Sequence, residues 1–477
     1  MVIAHRWRRF LLVTLGGELL FLFLVPPEVR PAGRRLFVLT WPMVAAWLAE
    51  ILPLGITALM FPVVGTLAGL TSARDAFAPF AHPIIFLFLG SFLMARAIEK
   101  TGTAEWIVQS ALRRPGLAAS PYRFTLVLGF VVFGLSMWLS NTATVASILP
   151  MIPAMIAVVP EGSRRHMKKM ILLLVAYAAN IGGIATPVGT PPNLIALGMV
   201  DRMVANRHML NFLEWVSIAL PPALIMFVTV HFVLYRRYLR HLPHSTTASL
   251  FQPVPLSPGG RRALRAFLVL IILWFGPGLI RVSFPNAPLS KWLAAHWPEA
   301  IPAVLMGVSL FLIPGDDERP LLTLSDLNQI DWNTLLLFGG GLSFGMMARS
   351  TGLLEDLIEG WIRPLHPSPQ LLLVMLVVTA VFATELFSNT AMANLLIPVA
   401  IGLASALHRN PWPPVLGVAF GCSMAFMLPV ATPPNAMVFG AGGLTLRDMT
   451  SAGWRANLIS IIVISMTVLV LQWVVSG

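Results

Sequence analysis

The tetrapeptide Ser-Asn-Thr-Ala occurs twice in this chain, at Ser140–Ala143 and at Ser388–Ala391. Each copy is followed, after a nearly equal interval, by Thr-Pro-Pro-Asn, at Thr190–Asn193 and at Thr432–Asn435. The chemistry open to these words is neutral and oxygen-rich. A helix leaving a Ser-Asn-Thr tip presents unpaired N–H groups and the positive end of its dipole. The hydroxyls donate, and the Asn amide adds two donors and an acceptor. Such a tip suits a small anion, and two facing tips could take the two carboxylates of a dicarboxylate. No Lys or Arg stands in either triplet, so binding would rest on neutral donors and on any bound cation.

The second pair of words suggests where that cation sits. Consecutive prolines remove N–H donors and break the helical ladder, which frees upstream carbonyls for a hard cation such as sodium. The residue before each word is small, Gly189 and Ala431. A hydroxyl, Ser136 or Thr384, also precedes each triplet Ser by four positions, on the same helical face. The competing reading is that Ser, Thr and Asn merely cap helices or glue them together. Duplication of both words in the same order favours a site.

The elements that must carry these words are membrane helices. The chain of 477 residues is 57% hydrophobic and 11% charged, with a mean hydropathy of +0.80. Trp215–Leu234 and Leu458–Val475 are long enough to span a bilayer as helices, and Ala266–Ile280 could centre another span. The runs are continuously apolar, which argues against the alternation of a β-barrel. Phe124–Val159 is one apolar stretch broken chiefly at Ser140-Asn141-Thr142, and Leu371–Ala404 is broken at Ser388-Asn389-Thr390. Both read as re-entrant hairpins with polar tips, a shape tolerated at membrane depth only beside protein or a wet cavity.

A third pair, GSFLMARAIEKTG at 90–102 and GGLSFGMMARSTG at 340–352, supports an internal duplication. The loop after the first hairpin is basic (Arg164, Arg165, Lys168, Lys169), whereas its counterpart holds only His408 and Arg409. Under the positive-inside rule the two loops lie on opposite sides, so the repeats are inverted. The expected organisation is an N-terminal span and basic loop over 1–35, a first inverted repeat over 36–236, a cytoplasmic linker over 237–262 and a second inverted repeat over 263–477. Residues 1–26, with their basic start, read as a retained span whose N-terminus is cytoplasmic rather than as a cleaved signal.

The net charge of +12 is explained by short basic clusters beside apolar spans, which argues against nucleic-acid binding. The single cysteine, Cys422, precludes an intrachain disulfide and reads as a buried, inert thiol. Glu50 and Glu385 are isolated acids in apolar surroundings. Glu50 reads as an acid near a helix end satisfied by backbone donors, while the role of Glu385, three residues before its triplet, is left open. Arg96 and Arg349 read as helix-end markers at opposite faces.

At these residues the chain resembles the divalent anion/sodium symporter family, carriers of dicarboxylates, citrate or sulfate. The resemblance runs from about Leu36 to the C-terminus. It is carried by the two triplets and by TPVGTPPN (186–193), ATPPN (431–435) and LLLFGGGL (335–342). It implies an all-α polytopic membrane protein with about eleven transmembrane helices and two re-entrant hairpins, working as an elevator-type transporter and a homodimer. It further implies one sodium site at Ser136, Ser140, Asn141 and Gly189, and a second at Thr384, Asn389 and Ala431. Substrate contacts would come from Ser140, Asn141, Thr142, Thr190 and Pro191, and from Ser388, Asn389, Thr390, Thr432 and Pro433.

The expected function is therefore sodium-coupled symport of C4-dicarboxylates such as succinate, fumarate or malate. Sodium ions would serve as the coupling ion, with no organic cofactor. The alternatives are a sulfate or other divalent-anion carrier and a sodium-independent exchanger. An enzyme is not expected, because no intramembrane His/Asp/Glu cluster, zinc motif or nucleophile–base pair is evident. The expected partners are a small divalent anion, the lipid bilayer and a second copy of the chain, and the expected location is a bacterial inner membrane.

Overall fold

The computed structural model describes residues 7, 10–19, 29–113, 120–157, 159–205, 208–240, 255–317, 319–362, 364 and 367–476. Among these, all regular structure is helical apart from one isolated bridge between Pro314 and Pro320. The helices that position the triplets fall into two sets. The first half supplies α1 (Pro83–Lys100), α2 (Pro121–Ser136), α3 (Asn141–Ile148), α4 (Glu161–Gly183), α5 (Pro191–Met203) and α6 (Phe212–Tyr238). The second supplies α7 (Pro258–Ser283), α8 (Ala300–Ser309), α9 (Trp332–Ser350), α10 (Pro369–Leu386), α11 (Asn389–Ala406), α12 (Trp412–Gly421), α13 (Pro433–Gly440) and α14 (Leu446–Ser476). Among the described residues six helical stretches are long and apolar enough to cross a membrane: Ala73–Lys100, Phe212–Tyr238, Pro258–Ser283, Pro369–Leu386, Asn389–Ala406 and Leu446–Val475.

Proline sets many of the starts. Pro83, Pro121, Pro191, Pro258, Pro369 and Pro433 each open a helix, where the missing N–H costs nothing. Side-chain oxygens of Ser120, Ser257 and Ser368 accept N–H bonds just ahead of three of them. Prolines also break the return arm of the first hairpin. It is interrupted by a short 3-10 turn over Leu149–Met151 before helix resumes at Ile152–Ala157, because Pro150 and Pro153 cannot donate to the ladder. Neither triplet forms a loop of its own. Ser140 and Ser388 are the caps of α3 and α11, and the following Asn and Thr open the helix.

The expected linker is flanked by helix on both sides, since α6 runs to Tyr238 and α7 begins at Pro258. Residues 241–254 of that linker, and residues 20–28 around the end of the expected first span, lie outside the described residues.

The helices pack as two neighbouring groups. In one, α4 lies against α2 and α6, α12 joins α10, α11 and α14, and α13 packs on α3 and α4. In the other, α1 packs on α8, α7 touches both, and α9 packs on two short helices, Leu54–Ala58 and Met60–Leu67. The main seam between the groups is α9 against α11 and α5. The centre of the first group is the second half of α4, where every residue from Met170 to Gly183 is buried. Its approach to α2 needs glycine, because a Cβ on Gly182 would lie 2.4 Å from the Phe133 carbonyl oxygen.

The two hairpins enter from opposite ends of α6. Tyr122, at the start of α2, meets Tyr235 near the end of α6 at 4.9 Å between ring centroids. Trp412, just beyond the second hairpin, donates from Nε1 to the carbonyl of His208, ahead of the start of α6. A helix of 27 residues is about 40 Å long, so the hairpins' open ends are a membrane's thickness apart while their tips converge.

Candidate functional site

The tips converge on one cavity of about 940 Å³. All ten expected substrate residues line it: Ser140, Asn141, Thr142, Thr190, Pro191, Ser388, Asn389, Thr390, Thr432 and Pro433. Gly189 and Ala431 line it too. The far wall belongs to the second packing group, at Glu50–Leu54, Glu99, Asp331, Asn333, Thr334 and Leu337. Among the described lining residues none is Lys or Arg, whereas three are acids: Glu50, Glu99 and Asp331. Glu99 pairs with Arg96 at 3.2 Å, and Asp331 caps α9 by accepting from the Thr334 N–H at 3.0 Å. Glu50 follows the helix Pro31–Ala49 with a left-handed φ of 49°, and its N–H donates to the Trp47 carbonyl.

Below the first tip, oxygens crowd together. The Ser136 hydroxyl lies 2.8 Å from Asn141 Oδ1 and 2.8 Å from the Ala179 carbonyl. A hydroxyl has one proton, so it cannot bridge both acceptors at once. The second tip repeats the pattern, with the Thr384 hydroxyl between Asn389 Oδ1 and the Cys422 carbonyl. Gly189 completes the first cluster, since a Cβ there would stand 2.5 Å from Gly183 O and 2.9 Å from both Ser136 O and Met137 O. Oxygen-only donor sets with more lone pairs than protons fit a hard, weakly polarising cation. No group of three or more His, Cys, Asp or Glu that could hold a metal occurs among the described residues.

Two members of the expected cation sets also have other partners. Ser140 Oγ is engaged as the cap of α3, accepting from the Ala143 N–H at 3.2 Å. Ala431 lines the cavity beside Asn389, and its N–H donates to the Leu428 carbonyl at 3.2 Å.

The Asn of each Thr-Pro-Pro-Asn word acts behind the cavity. Asn193 Nδ2 donates to Gly183 O and Thr186 O at 3.0 and 2.7 Å. Asn435 Nδ2 donates to Ala425 O and Leu428 O at 3.0 and 3.1 Å. Each amide thus clamps backbone carbonyls of the segment that precedes its helix.

Glu385 does the same for N–H groups. Its carboxylate accepts from the backbone N–H of Phe426 (2.6 Å), Met427 (2.9 Å) and Leu428 (3.1 Å), and from Asn457 Nδ2 (2.8 Å). Tyr177 donates to the Phe426 carbonyl at 2.8 Å. The sequence reading missed Asn180, Tyr177 and Asn457. The available signal was a polar residue inside an otherwise apolar helical stretch, as in Ala178-Ala179-Asn180-Ile181.

Comparison with known proteins agrees with this architecture. The family described as Sodium:sulfate symporter transmembrane region matches residues 4–476. An uncharacterised transporter of Haemophilus influenzae is 32% identical over 423 residues, covering 88% of this chain and 87% of that protein. The sodium-dependent dicarboxylate transporter SdcS of Staphylococcus aureus is 28% identical over 489 residues, covering 97% and 91%. The crystal structure of the Alcanivorax borkumensis YdaH transporter matches with a TM-score of 0.58 at 16% identity, over 87% of this chain and 88% of that one. That last likeness concerns the fold alone.

Proposed function

Since the chain belongs to the family described as Sodium:sulfate symporter transmembrane region, a family of multi-pass membrane transporters and not of enzymes, we propose that it is a sodium-coupled carrier of C4-dicarboxylates. The observation that carries this reading is the meeting of both Ser-Asn-Thr triplets in one cavity with an oxygen cluster beneath each tip. The name of the SdcS relative supports the substrate class.

Electrostatics sets the order of events. A dianion entering a cavity walled by neutral donors and carboxylates meets no fixed positive charge. A cation about 4 Å from a carboxylate is worth about 4 kcal/mol at an effective dielectric near 20. Sodium therefore binds first, at Ser136, Ser140, Asn141 and Gly189 and at Thr384, Asn389 and Ala431, and draws the two carboxylates onto the tips.

The cavity wall includes Glu99, next to Lys100 at the end of α1. That end lies with the start of α7, where Thr103 reaches the Gly260 carbonyl and Arg261 and Arg262 follow. By the positive-inside rule we read the cavity as open to the cytoplasm. The hairpin-bearing group would then slide along α9 to reach the other side, and we read the two hairpins as inverted copies whose opposed tips travel together.

The test is uptake into proteoliposomes under a sodium gradient, with succinate, fumarate, malate and sulfate compared. Asn141→Ala and Asn389→Ala should each abolish sodium-stimulated uptake. Full uptake in either variant, or wild-type uptake of sulfate with none of the dicarboxylates, would overturn this assignment.

A further inference from the structure

The two halves of the site share a wire that neither triplet contains. Asn180 sits in the last turn of α4 with no exposed surface (0%). Its Nδ2 donates to the Ala425 carbonyl at 2.9 Å, and its Oδ1 accepts from Asn141 Nδ2 at 3.3 Å. Ala425 lies at the start of the loop that Asn435, Glu385 and Tyr177 also hold. A backbone carbonyl can only accept, so Ala425 dictates which way the Asn180 amide faces. Asn180 Oδ1 in turn draws the Asn141 NH₂ toward itself, which leaves Asn141 Oδ1 facing Ser136. The oxygen that completes the first cluster is thus aimed by a loop of the other half of the chain.

Among the described residues the second triplet has no such link. Ala179 and Cys422 supply the matching carbonyls beneath the two tips, so the counterpart of Asn180 is Ser423. Its hydroxyl turns back to the Ala419 carbonyl at 3.3 Å.

We propose that Asn180 is a positioning residue that makes the first-half cation site depend on the 425–428 loop of the second half. Sodium at one site then favours sodium at the other, and the coupling is reciprocal. This rests on the sodium-coupled reading above and deepens it, because it makes the two sites unequal and cooperative.

The experiment is a sodium titration of the full-length purified chain, with choline replacing sodium, followed by thermal unfolding and by uptake. Asn180→Leu keeps the volume but can neither accept from Asn141 nor donate to Ala425. Asn180→Ser reaches neither partner. In both, the sodium half-saturation should rise about fivefold or more, the Hill coefficient should fall toward one, and the half-saturation should move by a larger factor than the maximal rate. A variant with the wild-type sodium curve, or one that loses maximal rate at an unchanged curve, overturns the wiring alone. Sodium that fails to stabilise the wild type overturns the wiring together with the reading beneath it. Should both variants fail to fold, hydrogen exchange on the wild type decides. Sodium should slow exchange at Asn141–Ala143 and at Phe426–Leu428 together, and protection confined to one half refutes the coupling.

Discussion

Gly189 shows how little room the cation clusters leave. Three carbonyl oxygens stand 2.5 to 2.9 Å from where its Cβ would lie, those of Ser136 and Met137 at the end of α2 and that of Gly183. The Met137 and Gly183 oxygens also accept from Thr186 Oγ1 and Asn193 Nδ2, respectively. A methyl there must push backbone aside, since no flexible side chain can yield. Gly189→Ala should raise the sodium half-saturation by tenfold or more, an effect of about 1.4 kcal/mol or greater at 25 °C, while Asn389 and the second cluster stay intact. Sodium-dependent thermal stabilisation measures it, and an unshifted titration would mean that this cluster does not hold the ion. Gly183 carries a related constraint, with Asn141 Oδ1 only 2.6 Å from where its Cβ would stand. Glu385, whose role the sequence left open, anchors a loop from which Phe426, Met427 and Leu428 all donate to it. Its isolation along the chain gave no hint of those partners, because they arrive from about forty residues downstream.

At the scale of elements, short irregular segments are pinned by single polar side chains. The segment between α8 and α9 is one example. Asp326, with a side chain 5% exposed, receives Lys100 Nζ at 2.7 Å and Arg96 Nε at 3.3 Å from the end of α1. It also receives the N–H and hydroxyl of Thr323 at 2.8 and 2.9 Å. Burial by itself would raise the Asp326 carboxyl, but the Lys100 ammonium and the Thr323 donors outweigh it and hold the pKa at about 2. A depressed carboxylate stabilises the fold above its unfolded value of about 3.9 and loses that contribution as pH falls through about 2. Asp326→Asn should therefore cost about 2 kcal/mol of stability at neutral pH, with the difference from wild type shrinking between pH 4 and pH 2. Unfolding midpoints in detergent across that range would read it. Equal midpoints at pH 7 would show that the pair contributes nothing net. The helix breaks at the two triplets were legible because Ser and Asn favour caps over helix interiors and stand alone in otherwise apolar runs. The 3-10 break after α3 was also written in the sequence, at Pro150 and Pro153, yet nothing local says that the chain continues in the same direction beyond it.

For the whole molecule the decisive feature is the seam between the two packing groups. There Asn394 of α11 presses on Gly341 of α9, while the preceding Gly340 and Gly339 face Ala58 and Phe80 on the side of α9's own group. Gly345 faces Pro398 across the same seam, with an added Cβ 3.4 Å from Pro398 Cγ. If transport requires the hairpin-bearing group to slide along α9, a disulfide between Gly345→Cys and Pro398→Cys should stop uptake, and reduction should restore it. The native Cys422 is buried and does not compete. Complete cross-linking with undiminished uptake would mean that the seam does not move. Charge distribution belongs to this scale as well. The cavity's acids all come from one group and both triplets from the other, so movement along the seam would change the field that a bound anion feels.

What the sequence determined by itself was the class of molecule and the identity of the polar words. Long apolar runs have no other stable form in a bilayer than helices, and a duplicated hydroxyl–amide motif among them is too improbable to be packing alone. What only the tertiary structure decided was how those words are aimed. The orientation of Asn141, the duty of Glu385 and the crowding around Gly189 all depend on carbonyls and N–H groups from distant segments. Backbone groups are the same at every residue, so no reading of side-chain types could say which of them would be left facing the site.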